Sequence, residues 1–286
     1  MTISCVSVLP ADSPHLSSLR VVTQRALLAV IGGGNMGAAL AQGLLQSGRS
    51  SNDLAICEVS AERRAALAGM FPGIAVSADV PACSEAIIAV KPVDAIAACR
   101  QAVAAGARRV VSIAAGVRLA ALQDACGSSV RVVRAMPNTP ALVGLSATAF
   151  SVSASCTAED RTWAGALLQS IGMVVELDES MLDAFTGLVG SGPAYVFYLA
   201  EALRDAAIAE GFDARLSGEL VARVLVGAVA LLEREPQSAK ELRARVTSPK
   251  GTTAAGVGVL DDRSVHDAVI AAVHAATQRS KQLGDA

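Results

Sequence analysis

The sequence predicts an α/β fold: an N-terminal, Rossmann-type doubly wound parallel sheet followed by an all-helical C-terminal dimerisation domain. Three observations carry this expectation. Short apolar runs alternate with helical stretches from Ala26 to about Glu176, the rhythm of parallel strands joined by helical crossovers. The first run leads directly into a glycine-rich turn, AVIGGGNMG. Beyond Asp178 strand signals stop and Ala/Leu-rich helical patterns take over. The expected division is a flexible extension over residues 1–25, a dinucleotide-binding domain over 26–177 and a helical substrate and dimerisation domain over 178–286.

In chain order, ALLAVIG is the first strand, a helix begins at Asn35, DLAIC is the second strand, and a helix spans about Ala61 to Met70. AIIAV (86–90), RVVSIA (109–114) and VRVVRA (130–135) read as further buried strands, because strands covered on both faces are apolar throughout. ATAFSV and MVVEL close the sheet on either side of a helix near Ala158 to Ile171. The second half then reads as helices over 179–190, 193–210 and 215–234, with two more from about 252. Several are apolar around most of their circumference, which requires burial on every side. A segment of this length cannot supply that alone, so a second copy of the chain is the expected cover.

Composition narrows the function. With 52% hydrophobic but only 3% aromatic residues, the core is built from small and branched side chains, which suits packed helices and parallel strands. A formal net charge of −2 leaves no electrostatic footprint for nucleic acid or an anionic membrane, and neither partner is expected. No uninterrupted apolar run reaches the ~18 residues of a membrane span. Residues 1–25 lack the charged and apolar blocks of a signal peptide. Six cysteines without CxxC spacing are expected to be reduced, in a cytoplasmic protein. The histidines His15, His266 and His274 have no carboxylate cluster at ligand spacing, so no metal site is expected.

The glycine-rich turn places Gly32, Gly34 and Gly37 in GxGxxG spacing between a strand and a helix, where Ile31, Asn35 and Met36 complete the cofactor-binding candidates. In that context Gly32 permits the tight turn, Gly34 the approach of a pyrophosphate, and Gly37 close packing of helix on strand. Free amides at the helix start favour the phosphates. Glu58 lies about twenty residues further on, where a carboxylate accepts from the adenosine ribose and repels a 2′-phosphate. Arg63 and Arg64 lie one turn beyond and could clasp that phosphate instead. NADH and NADPH therefore both stand as cofactors.

Ligands of open α/β sheets sit beyond the carboxyl ends of the strands. Here those ends carry Val90-Lys91-Pro92, Ala114-Ala115-Gly116 and Met136-Pro137-Asn138-Thr139-Pro140. Two prolines bracketing Asn138-Thr139 stiffen the chain into a wall suited to a flat ring. Val90, Lys91, Pro92, Ala115 and Asn138 are the candidates for the nicotinamide end.

The ordered set of AVKP, MPNTP, GSGPAY and TSPKGTT behind the nucleotide loop resembles the pyrroline-5-carboxylate reductases, the last enzymes of proline biosynthesis. The resemblance runs from about Ala26 to the C-terminus. It implies an NAD(P)H-dependent oxidoreductase acting on a C=N bond and a C-terminal domain that interlaces with its partner in a homodimer. In many members such dimers assemble into decamers. It places Thr253 against the ring nitrogen of the substrate. Gly251, Thr252, Thr253 and Asn138 are the substrate-binding candidates, since a helix start presents amides to a carboxylate and Thr252 and Thr253 add hydroxyls. The family more often carries glycine at position 250, and Lys250 lacks the freedom that a positive φ would need.

Two rivals remain. A β-hydroxyacid dehydrogenase would share this architecture, and Gly187, Gly190 and Gly192 fit its GxxGxGxxxK helix motif. The lysine position is Val196, which cannot take the alcohol proton. A catalytically silent dinucleotide-binding regulator is the other, and the intact SPKGTT loop argues against it.

Overall fold

The computed structural model describes residues 28–284, so the expected N-terminal extension, with Cys5 and His15, lies outside the described residues. Eight strands form one sheet: β1 (Leu28–Ile31), β2 (Leu54–Cys57), β3 (Ala75–Ser77), β4 (Glu85–Ile88), β5 (Arg109–Ser112), β6 (Arg131–Met136), β7 (Ser146–Val152) and β8 (Gly172–Glu176). Their order is β3-β2-β1-β4-β5-β6-β7-β8, with β1 at the point where the order reverses. Crossovers run through α1 (Asn35–Gln46), α2 (Ala61–Met70), α3 (Pro92–Ala104), α4 (Leu119–Cys126) and α5 (Ala158–Gln169).

Successive residues of β1 feed opposite cores. Leu28 and Val30 pack with Leu40 and Leu44 of α1 and with Leu67 of α2. Ala29 and Ile31 pack with Ala95 and Ala98 of α3 and Leu122 of α4. All four β1 residues are buried, which is why the strand reads as an unbroken apolar run.

The sheet departs from the all-parallel expectation at one place. β1 to β6 are parallel, but β7 runs antiparallel to β6, and β8 is parallel to β7. The cause is connection length. A parallel crossover needs a dozen or more residues, whereas β6 and β7 are joined only by MPNTPALVGL's turn, in which a 3-10 segment spans Thr139–Val143. The chain must double back. Two short elements also escaped the pattern reading: β3, three residues long, and α9 (Ala239–Arg245), which a Ser238/Glu241 capping box starts.

The second half is helical throughout. Helix α6 (Leu182–Phe185) passes through a π-helical turn, Thr186–Gly190, into α7 (Gly192–Ala209), and α8 (Ala214–Arg234), α9, α10 (Thr252–Asp262) and α11 (Val265–Gly284) follow. Helix α11 returns to α6 and the π turn, where Ser280 Oγ donates to Asp183 Oδ1 at 2.7 Å. Buried Arg134 on β6 bonds Glu179 at 2.8 Å, tying the sheet to the start of the helical half.

The remainder is bare. No residue of α7, α9 or α10 is buried, and Ser217 is the single buried residue of α8. Phe197 and Tyr198 are 68% and 76% exposed on a helix whose sequence is almost wholly apolar. Single exposed apolar residues are ordinary, but a continuous exposed apolar surface marks an interface.

Candidate active site

The glycine loop sits at the carboxyl end of β1. Gly32 has φ +103°, a conformation open to glycine, and its N–H donates to the Cys57 carbonyl at 2.8 Å. A side chain at Gly37 would collide with the Gly32 carbonyl, so its lack of one brings α1 onto the strand. Gly34, the N-cap of α1, faces open space: nothing of the protein lies within 4 Å of where its Cβ would be. That space, above the unsatisfied amides of α1, fits a pyrophosphate. The residues present therefore fit a dinucleotide.

Two cavities flank this loop. The larger, about 740 Å³, lies between β2 and α3 and is lined by Ile31, Gly32, Glu58 and Val90, among others. The smaller, about 260 Å³, is lined by Met36, Ala89, Val90, Ile113, the segment Met136–Thr139 and Gly190. Val90 is common to both, so one extended ligand can cross the loop with its ends in separate cavities. The second volume is large enough for a nicotinamide ring.

The Glu58 carboxylate is held on both oxygens. It accepts from Gly33 N–H at 2.9 Å and from Ser60 N–H at 2.8 Å. Arg63 Nε donates to the Gly33 carbonyl at 2.7 Å, and Arg64 Nη1 to the carbonyls of Glu58 and Val59 at 2.9 and 2.8 Å. The region therefore forms one brace around the glycine loop.

Asn138 joins the sheet to the helical half. Its Oδ1 accepts from Ser146 Oγ and Ala147 N–H, each at 3.1 Å, and its Nδ2 donates to the Val189 carbonyl at 3.1 Å. The GSGPAY motif explains the last bond. In a regular α-helix the Val189 carbonyl would accept from residue 193, but Pro193 has no N–H and its ring crowds that carbonyl. The helix widens instead, and Ser191 N–H bonds Thr186 O at 2.9 Å in a π turn. This frees the carbonyls of Val189 and Gly187. Asn138 serves the first, and Tyr195 Oη donates to the second at 3.1 Å. The widened turn sets Gly190 into the wall of the smaller cavity.

The SPKGTT loop is a tight turn at the start of α10. Gly251 N–H donates to the Ser248 carbonyl at 3.0 Å, with Pro249 and Lys250 at the corners. Lys250 has φ +59°. A proline followed by a left-handed residue is the pattern of a type II turn, which usually places glycine second. The lysine thus adopts the glycine conformation rather than reshaping the loop.

The candidate residues fall into two groups in one chain. Ile31, Gly32, Glu58 and Val90 line the larger cavity, and Met36, Val90 and Asn138 line the smaller. Gly34, Asn35 and Gly37 open α1 between them. Lys91 and Pro92 form the exposed N-cap and first turn of α3, and Ala115 follows β5 without lining either cavity. Gly251, Thr252 and Thr253 are not among the residues around Asn138. The two threonines are exposed at the start of α10, whose main packing partner is α11. The Asn138 side chain engages Oδ1 and one N–H of Nδ2 within the protein, and the residue lines the smaller cavity as part of its wall.

Sequence reading missed Asp79, Asp94 and Gln101 of the larger cavity and Ile113 and Gly190 of the smaller. Asp94, Ala97, Ala98 and Gln101 recur at helical spacing on α3, a signal that was available. Asp79 was hidden with β3.

Residues 179–283 match the family described as pyrroline-5-carboxylate reductase dimerisation, and residues 27–116 match NADP oxidoreductase, coenzyme F420-dependent. A pyrroline-5-carboxylate reductase of Mycobacterium tuberculosis is 39% identical over 285 residues, covering 90% of this chain and 97% of the relative. That of Pseudomonas aeruginosa is 37% identical, covering 90% and 97%. Among solved structures, the Coxiella burnetii reductase superposes with a TM-score of 0.82 at 29% identity, covering 91% of this chain and 98% of that one. The Plasmodium falciparum pyrroline carboxylate reductase with NADP bound gives 0.81 at 28%, with the same coverage. With a nucleotide loop, a π turn made by GSGPAY and an SPKGTT helix start in place, and with relatives this similar along nearly its whole length, the chain belongs to the pyrroline-5-carboxylate reductase family.

Proposed function

We propose that this chain reduces the C=N bond of 1-pyrroline-5-carboxylate to give L-proline, using NADH or NADPH. The observation that carries the reading is the pair of cavities sharing Val90, one of them closed by Met136–Thr139 and the π-turn glycine. A reduced nicotinamide in the smaller cavity supplies the hydride. Met36, Val90, Ile113 and Met136 give that cavity apolar walls against which a flat ring would pack. Open space at Gly34 and the amides of α1 hold the pyrophosphate.

The substrate's carboxylate is assigned to the amides at the start of α10, and the Thr253 hydroxyl to its ring nitrogen, as donor to the imine or acceptor from the amine. Because Thr253 is exposed and apart from the Asn138 cavity in its own chain, the proposal includes a second copy whose α10 completes the site. The bare apolar faces of α7 and α8 support such an interlaced homodimer, as does the dimerisation family matched by residues 179–283. Residues 26–177 are then the dinucleotide-binding domain and 178–286 the substrate and dimerisation domain. Assembly of dimers into a decamer rests on the family resemblance.

A cyclic imine is basic enough to bind a proton near neutral pH, so the reaction does not require a strong enzymic acid, and holding the two rings together can supply much of the rate, up to ~7–11 kcal/mol in favourable systems. Val196 at the place of a dehydrogenase lysine supports imine rather than alcohol chemistry. The cytoplasmic reading rests on the sequence, whose six cysteines are scattered without CxxC spacing. Among the described residues no helix is long and apolar enough to cross a membrane, and no group of His, Cys, Asp or Glu could hold a metal ion.

The test is direct. Purified protein mixed with pyrroline-5-carboxylate and reduced nicotinamide should lose the cofactor's absorbance in step with proline formation. Absence of that loss with both cofactors, alongside oxidation of a 3-hydroxy acid, would give the site to the dehydrogenase rival.

A further inference from the structure

The larger cavity has a one-sided charge. Its lining includes three carboxylates, Glu58, Asp79 and Asp94, and no lysine, arginine or histidine. Glu58 cannot turn away without releasing Gly33 and Ser60, whose N–H groups it accepts at 2.9 and 2.8 Å. The two arginines that could answer a phosphate each spend a donor on backbone carbonyls, and neither lines the cavity. Arg63 Nε is on Gly33 O, and Arg64 Nη1 is shared between Glu58 O and Val59 O. At the start of α2, Ser60 N–H serves Glu58, and Ser60 Oγ accepts from Arg63 N–H at 3.3 Å. Burial first, then the charges of Asp79 and Glu58, push up the thiol of Cys57 in the cavity wall, with Arg64 opposing, so the negative field reaches the cavity floor.

We infer that the adenosine-ribose end of this site selects NADH over NADPH, with Glu58 as the specificity-determining residue. A 2′-hydroxyl can donate to the fixed carboxylate, whereas a 2′-phosphate would meet it as a like charge at short range without a lining cation to offset it. The inference rests on the dinucleotide reading above and deepens it. It concerns this chain and not the family, since the Plasmodium relative is known with NADP bound.

The experiment is titration of the full-length protein with NADH and with NADPH, read as binding by nicotinamide fluorescence, without substrate. The expected result is at least ~10-fold tighter binding of NADH, corresponding to ~1.4 kcal/mol. Glu58→Gln should narrow that ratio about tenfold, mainly by tightening NADPH. Arg63→Ala should weaken both cofactors alike, because Arg63 braces Gly33. Should Glu58→Gln fail to fold, 5′-AMP against 2′,5′-ADP on the wild-type protein gives the same comparison, with 5′-AMP expected to bind more tightly. Equal or tighter NADPH binding, or a selective loss of NADPH in Arg63→Ala, overturns the preference alone. Binding of neither dinucleotide overturns it together with the dinucleotide site. Absence of turnover with pyrroline-5-carboxylate, with NADH still bound more tightly, counts against the proposed reaction and leaves the preference standing.

Discussion

At position 250 a lysine holds φ +59° in a turn that glycine would occupy freely. Left-handed backbone costs an L-residue roughly 1–2 kcal/mol, and the unfolded-state entropy that a glycine reintroduces offsets part of the gain from relieving it. Lys250→Gly should therefore raise unfolding stability by about 0.5–1 kcal/mol in urea, and a loss of stability would mean that the lysine side chain contributes more than its backbone costs. Tyr195 presents the opposite case. Its hydroxyl is the donor to the Gly187 carbonyl that the π turn releases, so Tyr195→Phe leaves a buried acceptor unpaired. The expected cost is about 1–3 kcal/mol. Full stability in that variant would show that the carbonyl finds another donor.

Among the elements, the α6–α7 junction links sequence to site most tightly. Pro193 forbids a regular helix there, and the freed Val189 carbonyl is taken by Asn138 from the end of β6. Proline thereby locks the helical half to the cavity wall. At the opposite end of the sheet, α5 is docked by charge. Its N-terminal Asp160 is 3% exposed and bonds Thr157 and Arg109. Burial alone would raise the Asp160 carboxyl, but the two Thr157 bonds and Arg109 outweigh it and hold it below the usual range. A carboxyl depressed in the fold contributes stability that is present above its unfolded value, near about 4, and is lost as pH falls through the lower folded value. Asp160→Asn should thus lower stability at pH 7 and flatten its decline below about pH 4. Parallel urea titrations of the variant and the parent check this, and equal acid slopes would remove Asp160 from the account.

On the scale of the whole molecule, the two-part architecture was legible because each half has its own period: buried apolar runs for strands, continuous Ala/Leu patterns for helices. The glycine loop and Glu58 could be placed for the same reason, since strand, turn and helix follow at fixed offsets. What was hidden shares a physical cause. β3 and α9 are too short for a period to show, and the reversal of β7 depends on connection length rather than on residue type. The role of the Asn138 side chain depended on a missing N–H some fifty residues away, which no local pattern encodes. Thr253 stands out in the sequence through its motif, but in its own chain it is exposed at the start of α10 and does not line the smaller cavity.

That assembly is open to a direct measurement with mixed dimers. A side chain at Gly34 meets no protein atom, so Gly34→Val should fold normally while filling the space assigned to the pyrophosphate. Thr253→Ala should bind cofactor yet turn over poorly. Each homodimer is then expected to be nearly inactive. If one chain's α10 completes its partner's cavity, a heterodimer of the two variants contains one intact site and should recover up to about half the parental activity per dimer. Heterodimers as inactive as their parents would contradict the account, because they would place Thr253 in the site of its own chain.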